Sequence, residues 1–306
     1  VLPENRAPDK ESIIPVDVGE GDMVQKSRKL SQEVAEIAQE YDIVHTHDWF
    51  GAEAGFKSKK YSETKWVSTF HSLSSGRNRN PGEEIQKLEK VAAEKSDQVI
   101  AVSEKLKDEI KEEFDSNPEV IHNGFSTPES SGIKVRKRHR IEGDMILFIG
   151  RHAEQKGLEH LIYGFNKLLE EQKATLVVGG KGHLSEALHT FVEILDIEEN
   201  VVFTGFIPRN ELGDYYGAAD VFVSPSINEP FGLTITEALE SGTPVVATSN
   251  GVEEIVGNSI YPVEAESDSI KNGIQEALEK DQAVEYSNRS WKQMAGETAK
   301  IYEKLS

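Results

Sequence analysis

The residues with the clearest chemical potential lie in the segment Glu229-Pro-Phe-Gly-Leu-Thr-Ile-Thr-Glu237. An apolar run, Asp220-Val-Phe-Val-Ser224, precedes it, and a helical pattern follows to about Ser241. In open α/β sheets, ligands sit outside the carboxyl ends of strands, which is where this segment falls. Pro230 suits a first helical turn, and Gly232 removes side-chain bulk where a ligand would touch backbone. The free amides of such a helix start, with the helix dipole, favour a diphosphate. Glu229 in the loop and Glu237 further along the helix supply two separated carboxylates, able to accept hydroxyls from both ends of a ligand such as a sugar nucleotide. Taken singly, each Glu also fits a loop residue or a solvated helix residue.

A second group is His45-Thr-His47-Asp48-Trp49, which follows an apolar run. Strand alternation puts His45 and His47 on one face, a geometry to weigh as a metal pair. No third ligand stands at a suitable spacing, so no metal is predicted. Phe70-His71 ends another strand pattern.

The elements that must position these residues come in two series. Asp42-Ile-Val-His-Thr46, Lys65-Trp-Val-Ser-Thr-Phe70 and Asp97-Gln-Val-Ile-Ala-Val102 form the first. Met145 to Ile149, Ala174 to Val178, Val201 to Thr204, Asp220 to Ser224 and Pro244 to Ala247 form the second. Short β-branched runs alternating with helical patterns predict parallel sheets with helical crossovers. The polar, basic stretch from Thr127 to Gly143 lacks apolar periodicity and reads as a linker. We expect a first domain over 1–128, a linker over 129–143, a second domain over 144–285, and a terminal helix over 286–306.

The chain has 306 residues, more than one core usually serves, and 37% are hydrophobic, enough for packed interiors. A formal net charge of -20 opposes non-specific binding to nucleic acid or anionic membranes. Both adaptation to high salt and solvated Glu-rich helix faces fit the acidic excess. Without Cys there is no disulfide, thiolate catalysis or Cys-ligated metal. The sequence contains no apolar run long enough for a membrane span and no charged-then-apolar start. A soluble, cytoplasmic protein is the expectation, with oligomeric state open.

The Glu-seven-residues-Glu segment resembles the signature of retaining GT-B glycosyltransferases, family 4 and its glycogen synthase relatives. Gly150-Arg151-His-Ala-Glu-Gln-Lys156-Gly157-Leu is similar to the family's Arg and Lys pair at the first strand of the second domain. Val178-Gly179-Gly180-Lys-Gly182, Thr204-Gly205-Phe206-Ile-Pro208 and Gly242-Thr-Pro244-Val-Val-Ala resemble its later landmarks. Val120-Ile-His122-Asn123-Gly124 resembles the turn that closes the first domain. His47-Asp48-Trp49 looks more like glycogen and sucrose-type synthases than the plain family 4 pattern.

The resemblance implies an α/β fold of GT-B type, two Rossmann-like doubly wound domains facing across a cleft. It implies a hexosyltransferase (EC 2.4 type) that moves a sugar from a UDP-, ADP- or GDP-sugar to a carbohydrate or other hydroxyl acceptor, with retention. His71, Arg151, Lys156 and Glu229 would be catalytic. Gly179, Gly180, Phe206, Phe231, Gly232, Leu233 and Glu237 would bind the donor, with Phe206 bordering the base. His47 and Asp48 would bind acceptor hydroxyls, and Trp49 would offer a stacking face. Arg151 and Lys156 would stabilise the diphosphate leaving group, a task otherwise done by a metal, so no cofactor or metal is expected. No side chain is an obvious covalent nucleophile, which favours same-face displacement. The acceptor loop is expected around Ser72 to Pro81.

Family members begin with a strand, a Gly-rich loop and a helix that have no counterpart ahead of Val1, so the first domain is expected to lack these. Two alternatives follow: a truncated or inactive sugar-nucleotide-binding protein, and a sugar-nucleotide epimerase of the same fold.

Overall fold

The computed structural model describes residues 2–3, 14–62, 64–77, 82–280, 286 and 288–306. The chain divides into two units: Val1–His122 with Lys292–Ser306, and Asn123–Trp291. The division at His122 lies ahead of position 128, where the sequence pattern placed the end of the first domain.

In the first unit, a short parallel pair, β1 (Leu2–Pro3) and β2 (Pro15–Val16), precedes helix α1 (Met23–Ile37). A capping box starts α1: the Asp22 side chain accepts from the Gln25 N–H, and the Gln25 side chain accepts from the Asp22 N–H. Four parallel strands follow in the order β3 (Ile43–His47), β4 (Lys65–Phe70), β5 (Gln98–Ala101), β6 (Glu119–Val120). Helices α2 (Ala52–Ser62), α3 (Ser74–Arg77), α4 (Glu83–Lys95) and α5 (Glu104–Glu113) lie between them in sequence. Ser103 caps α5 by accepting from the Leu106 N–H.

In the second unit, six parallel strands run in the order β12-β11-β10-β7-β8-β9. They are β7 (Asp144–Ile149), β8 (Ala174–Gly179), β9 (Val201–Gly205), β10 (Val221–Ser224), β11 (Val245–Ala247) and β12 (Tyr261–Pro262). Every residue of β8 and of β10 is buried, the mark of a parallel sheet covered on both faces. The covering helices are α6 (Val135–Arg138), α7 (Leu158–Leu169), α8 (Ser185–Ile194), α9 (Leu212–Ala218), α10 (Leu233–Glu240), α11 (Glu253–Val256) and α12 (Ser267–Glu279). Leu161, Ile162 and Phe165 of α7 and Ile270 and Ile274 of α12 join Ile146, Leu176 and Val223 of the sheet in one core. Gly164 makes the α7 and α12 contact possible, since a Cβ there would lie 2.6 Å from the Ser267 carbonyl oxygen.

The stretch read as a linker is docked onto this unit by two carboxylates. Asp214 accepts from the Ser130 hydroxyl and from the Ser131 and Gly132 amides, and these bonds hold its pKa down at about 2. Asp220 pairs with Arg136 on α6. The terminal helix α13 (Trp291–Leu305) begins where the chain returns to the first unit, and its Ile301 is buried with Val67, Ile100 and Ile121. Among the described residues, no helix is long and apolar enough to cross a membrane.

Candidate functional site

Successive strands of the six-stranded sheet run outward in opposite directions from the neighbours β7 and β10. That reversal is a topological switch point, and the crevice outside its carboxyl ends is where open sheets bind ligands. Two loops leave there. Gly150 and Arg151 follow β7, and Pro225 to Gly232 follow β10.

Local geometry joins the loops. Gly157 adopts φ +62°, and a Cβ there would stand 2.1 Å from the Pro225 carbonyl oxygen, so only glycine permits the approach. The Ile227 amide donates to the Gln155 carbonyl at 2.8 Å. Together these bring Lys156 Nζ to 2.6 Å from Glu229 Oε2, an ion pair that is only slightly exposed. Ser226 Oγ is 3.4 Å from the same carboxylate oxygen. Arg151 is exposed and makes no ion pair among the described residues.

Beyond Glu229, a parallel bridge to Asn250 and bonds from the Gly251 and Val252 amides to the Glu229 and Phe231 carbonyls fix the backbone. Phe231 is buried, so its ring anchors the loop and is not open to a ligand. Gly232, at φ +109°, stands at the N-cap of α10. Its carbonyl accepts from the Ile235 and Thr236 amides. The Gly232, Leu233 and Thr234 amides find no acceptor among the described residues, and an anion fits there. Leu233 is exposed beside them.

The glycines expected to admit a nucleotide have a nearer task. Gly180, at φ +110°, would place a Cβ 1.9 Å from the Gly150 carbonyl oxygen, and one on Gly179 would meet Ile207 at 2.6 Å. They allow the turns after β7 and β8 to pack backbone to backbone. The Gly180 amide donates to the Gly205 carbonyl at 2.7 Å, tying in the turn after β9, where Phe206 is 76% exposed.

Glu237 is half-buried, and burial raises its carboxyl above the ordinary 4.5, opposed by the Tyr216 hydroxyl and the Arg209 guanidinium. Tyr216 O–H donates to Glu237 Oε2 at 2.9 Å, which leaves Oε1 for a ligand. Burial, then the neighbouring Glu237 charge, pushes the Tyr216 phenol well above 10, so it stays a donor. Sequence reading missed Tyr216 and Ser226. Neither has a periodic or positional signal, since each is defined by a contact.

In the first unit, His45 and His47 do share a face of β3. Their rings stack with centroids 4.6 Å apart, and the His47 and His71 rings lie edge to edge, 21° from parallel with centroids 5.2 Å apart. His47 Nδ1 and His71 Nε2 are 3.0 Å apart. Both nitrogens of His45 are engaged, by Tyr302 Oη at 2.6 Å and Thr69 Oγ1 at 2.7 Å. Among the described residues no group of three or more His, Asp or Glu is arranged to hold a metal. Asp48, at φ +52°, turns its carboxylate to accept from the His71 and Ser72 amides at 2.8 and 3.4 Å. The non-glycine residue in the left-handed region is strained backbone at a cluster of polar groups. Trp49 is buried, with an edge contact to Phe50, so it offers no open face for stacking. Of the acceptor loop expected at Ser72 to Pro81, residues 78–81 lie outside the described residues.

With this geometry in place, comparison with known proteins decides the family. The profile of the family described as glycosyl transferases group 1 matches residues 131–295, and that of glycosyltransferase family 4 matches residues 5–128. The chain belongs to the group 1 glycosyl transferases. It is 33% identical over 293 residues to the uncharacterized glycosyltransferase MJ1607 of Methanocaldococcus jannaschii, covering 86% of this chain and 75% of that protein. It is 30% identical to mannosylfructose-phosphate synthase of Agrobacterium fabrum over 69% of this chain, spanning 54% of that relative. Among solved structures, sucrose-phosphate synthase from Thermosynechococcus elongatus matches with a TM-score of 0.79 at 21% identity, over 96% of this chain and 80% of that one. Anabaena HepE in complex with UDP-glucose matches with a TM-score of 0.79 at 20% identity, over 90% and 82%. The fold of this group 1 glycosyl transferase is therefore GT-B, two parallel-sheet α/β units.

Proposed function

We propose that this protein is a retaining, metal-independent glycosyltransferase that takes a nucleoside diphosphate sugar as donor and a carbohydrate or polyol hydroxyl as acceptor. The observation that carries the reading is the set of unpaired amides at Gly232 to Thr234, placed at the switch point and flanked by the Lys156 and Glu229 pair. These amides and Lys156 would grip the diphosphate, with Arg151 free to swing onto it. Once a phosphate takes Lys156, the Glu229 carboxylate is released to accept a sugar hydroxyl. Glu237, with Tyr216 behind it, would hold the ribose hydroxyls. As the bond to the anomeric carbon breaks, charge grows on the departing phosphate, and preset donors lower that barrier more than they tighten binding. Retention by same-face displacement would follow if Glu229, released from Lys156, accepts a sugar hydroxyl and so is not available as a nucleophile. Two relatives, mannosylfructose-phosphate synthase and alpha-maltose-1-phosphate synthase of Mycolicibacterium smegmatis, support a sugar donor and suggest sugar and polyol phosphates as acceptors to try first.

The test is turnover of UDP-glucose, ADP-glucose and GDP-mannose against a panel of polyol, sugar and sugar-phosphate acceptors, with product configuration read by NMR. We expect an α-linked product, unaffected by EDTA. Arg151→Ala and Lys156→Ala should each lower turnover about 10²- to 10³-fold, the cost of removing one transition-state donor. Near wild-type rates in both variants, or activity abolished by EDTA, would remove the metal-free leaving-group role. Binding of a sugar nucleotide with no transfer to any acceptor would favour a binding protein instead, and release of an epimerised donor without acceptor would favour an epimerase.

A further inference from the structure

We propose that His45 and Tyr302 are positioning residues that hold His47 and His71, the two histidines the family resemblance implicates in sugar contact, as a hydrogen-bonded pair with one outward ring nitrogen donating and the other accepting. The identity of the ligand as a sugar rests on the function proposed above; the pairing does not.

The 3.0 Å contact between His47 Nδ1 and His71 Nε2 holds a single proton. If it belongs to His47, then His47 Nε2 is bare and His71 Nδ1 carries the remaining hydrogen. If it belongs to His71, the roles exchange. In either neutral arrangement the two outward nitrogens are one donor and one acceptor, and neither has a partner among the described residues. A hydroxyl group both donates and accepts, so a polyol satisfies both. A phosphate or carboxylate has no proton for the accepting nitrogen and is the poorer fit. Adding one proton to the pair turns both outward nitrogens into donors and removes that discrimination.

Neutrality therefore matters, and for His45 and His47 the surroundings favour it. The groups facing the pair are His45 on the same strand, Asp48 at its end, Thr69 on β4 and Tyr302 on α13. Burial, with the two other histidines adding repulsion, pushes His45 down to about 3, so it stays an uncharged ring. His47 is lowered by burial and then by His71, against the opposing pull of Asp48. Burial raises the Tyr302 phenol, which keeps its hydrogen. Bonds at both nitrogens fix the plane of His45, and the 25° stack passes that plane to His47. Tyr302 is itself placed by its neighbour Ile301, buried in the sheet core.

The experiment is imidazole ¹⁵N NMR of the ligand-free full chain from about pH 5 to 8, with the pH profile of UDP-glucose turnover beside it. We expect His45 neutral throughout, and a single hydrogen bond linking His47 Nδ1 and His71 Nε2. Tyr302→Phe keeps the aromatic ring and removes the bond; it should free the His45 plane and move the protonation of His47 upward. The acidic limb of turnover should move with it, by about tenfold at a fixed acidic pH for each unit of movement. Thr69→Ser keeps a hydroxyl and should behave as wild type, whereas Thr69→Val should follow Tyr302→Phe. A wild type in which His47 Nδ1 and His71 Nε2 show no hydrogen bond between them would overturn the pairing. Spectra and pH profiles unchanged in both Tyr302→Phe and Thr69→Val would overturn the positioning role. A wild type that turns over no sugar nucleotide would sink the function above, and the ligand-free spectra would still decide the pairing.

Discussion

The hydroxyl-binding role proposed for Glu237 needs a carboxylate, yet its burial favours the protonated form, so that role and its effect on stability have opposite pH signs. Its folded pKa lies above the ordinary 4.5. As pH rises from 4.5 through the raised value, the folded chain holds a proton that the unfolded chain has released. Stability conferred by the group is present below that window and is lost across it. Affinity for UDP, on the proposed role, should run the other way and rise as the carboxylate ionises. Glu237→Gln should remove both trends and weaken UDP binding about 10- to 100-fold at pH 8, the range for a lost hydrogen bond to a charged group worth ~1.5–3 kcal/mol. Calorimetric titration of UDP across this window checks the first point, and a wild-type affinity flat in pH would exclude the ionised Glu237 from the site. The two Glu residues were legible because they bracket a glycine and a helix start. Tyr216, which decides which oxygen of Glu237 is free, was not, because a contact between separate elements leaves no mark in local pattern.

At the scale of elements, the second unit depends on backbone approaches that glycine alone allows, and the same residue type is dispensable elsewhere. Gly180→Ala meets both a positive φ and the Gly150 carbonyl oxygen at 1.9 Å. It should destabilise the unit by at least ~1–3 kcal/mol, the usual cost of a strained backbone position, and weaken UDP binding as the turns separate. Gly217, inside α9, has open space around a Cβ and no positive φ. Gly217→Ala should stabilise by about 0.8–1 kcal/mol through helix propensity. Chemical denaturation of the two variants gives shifts of opposite sign, and equal shifts would contradict the packing role. The strands themselves were readable as apolar runs such as Met145 to Ile149, because burial on both sheet faces demands them. The basic stretch ahead of Gly143 looked free only because its polar residues gave no periodicity; its order comes from Asp214 and Asp220, which lie far along the chain. The contact of α13 with His45 was invisible for the same reason, since His45 and Tyr302 are 257 positions apart.

For the whole molecule, 54 acidic side chains stand against 34 Lys and Arg. Many of the ion pairs formed among the described residues, such as Arg28 with Glu84 and Lys87 with Glu83, are well exposed, and such pairs are worth at most ~1 kcal/mol each. Salt weakens those pairs slightly but also screens the repulsion within a net charge of -20, and the excess is large enough for the second effect to win. Raising NaCl from about 10 mM, where the Debye length is ~30 Å, toward about 1 M, where it is ~3 Å, should therefore raise Tm. Each ~1 kcal/mol of repulsion relieved should appear as roughly 2–4 °C in a unit of this size. Nucleotide binding should respond with the opposite sign, because the attraction proposed between a diphosphate and Lys156, Arg151 and the helix amides would be lost to screening. Melting curves and UDP titrations over the same salt series test both halves at once. A Tm that falls with salt would mean that ion pairing outweighs repulsion. UDP affinity that rises with salt would mean the negative field of the whole chain, and not the local positive groups, governs access to the phosphate site.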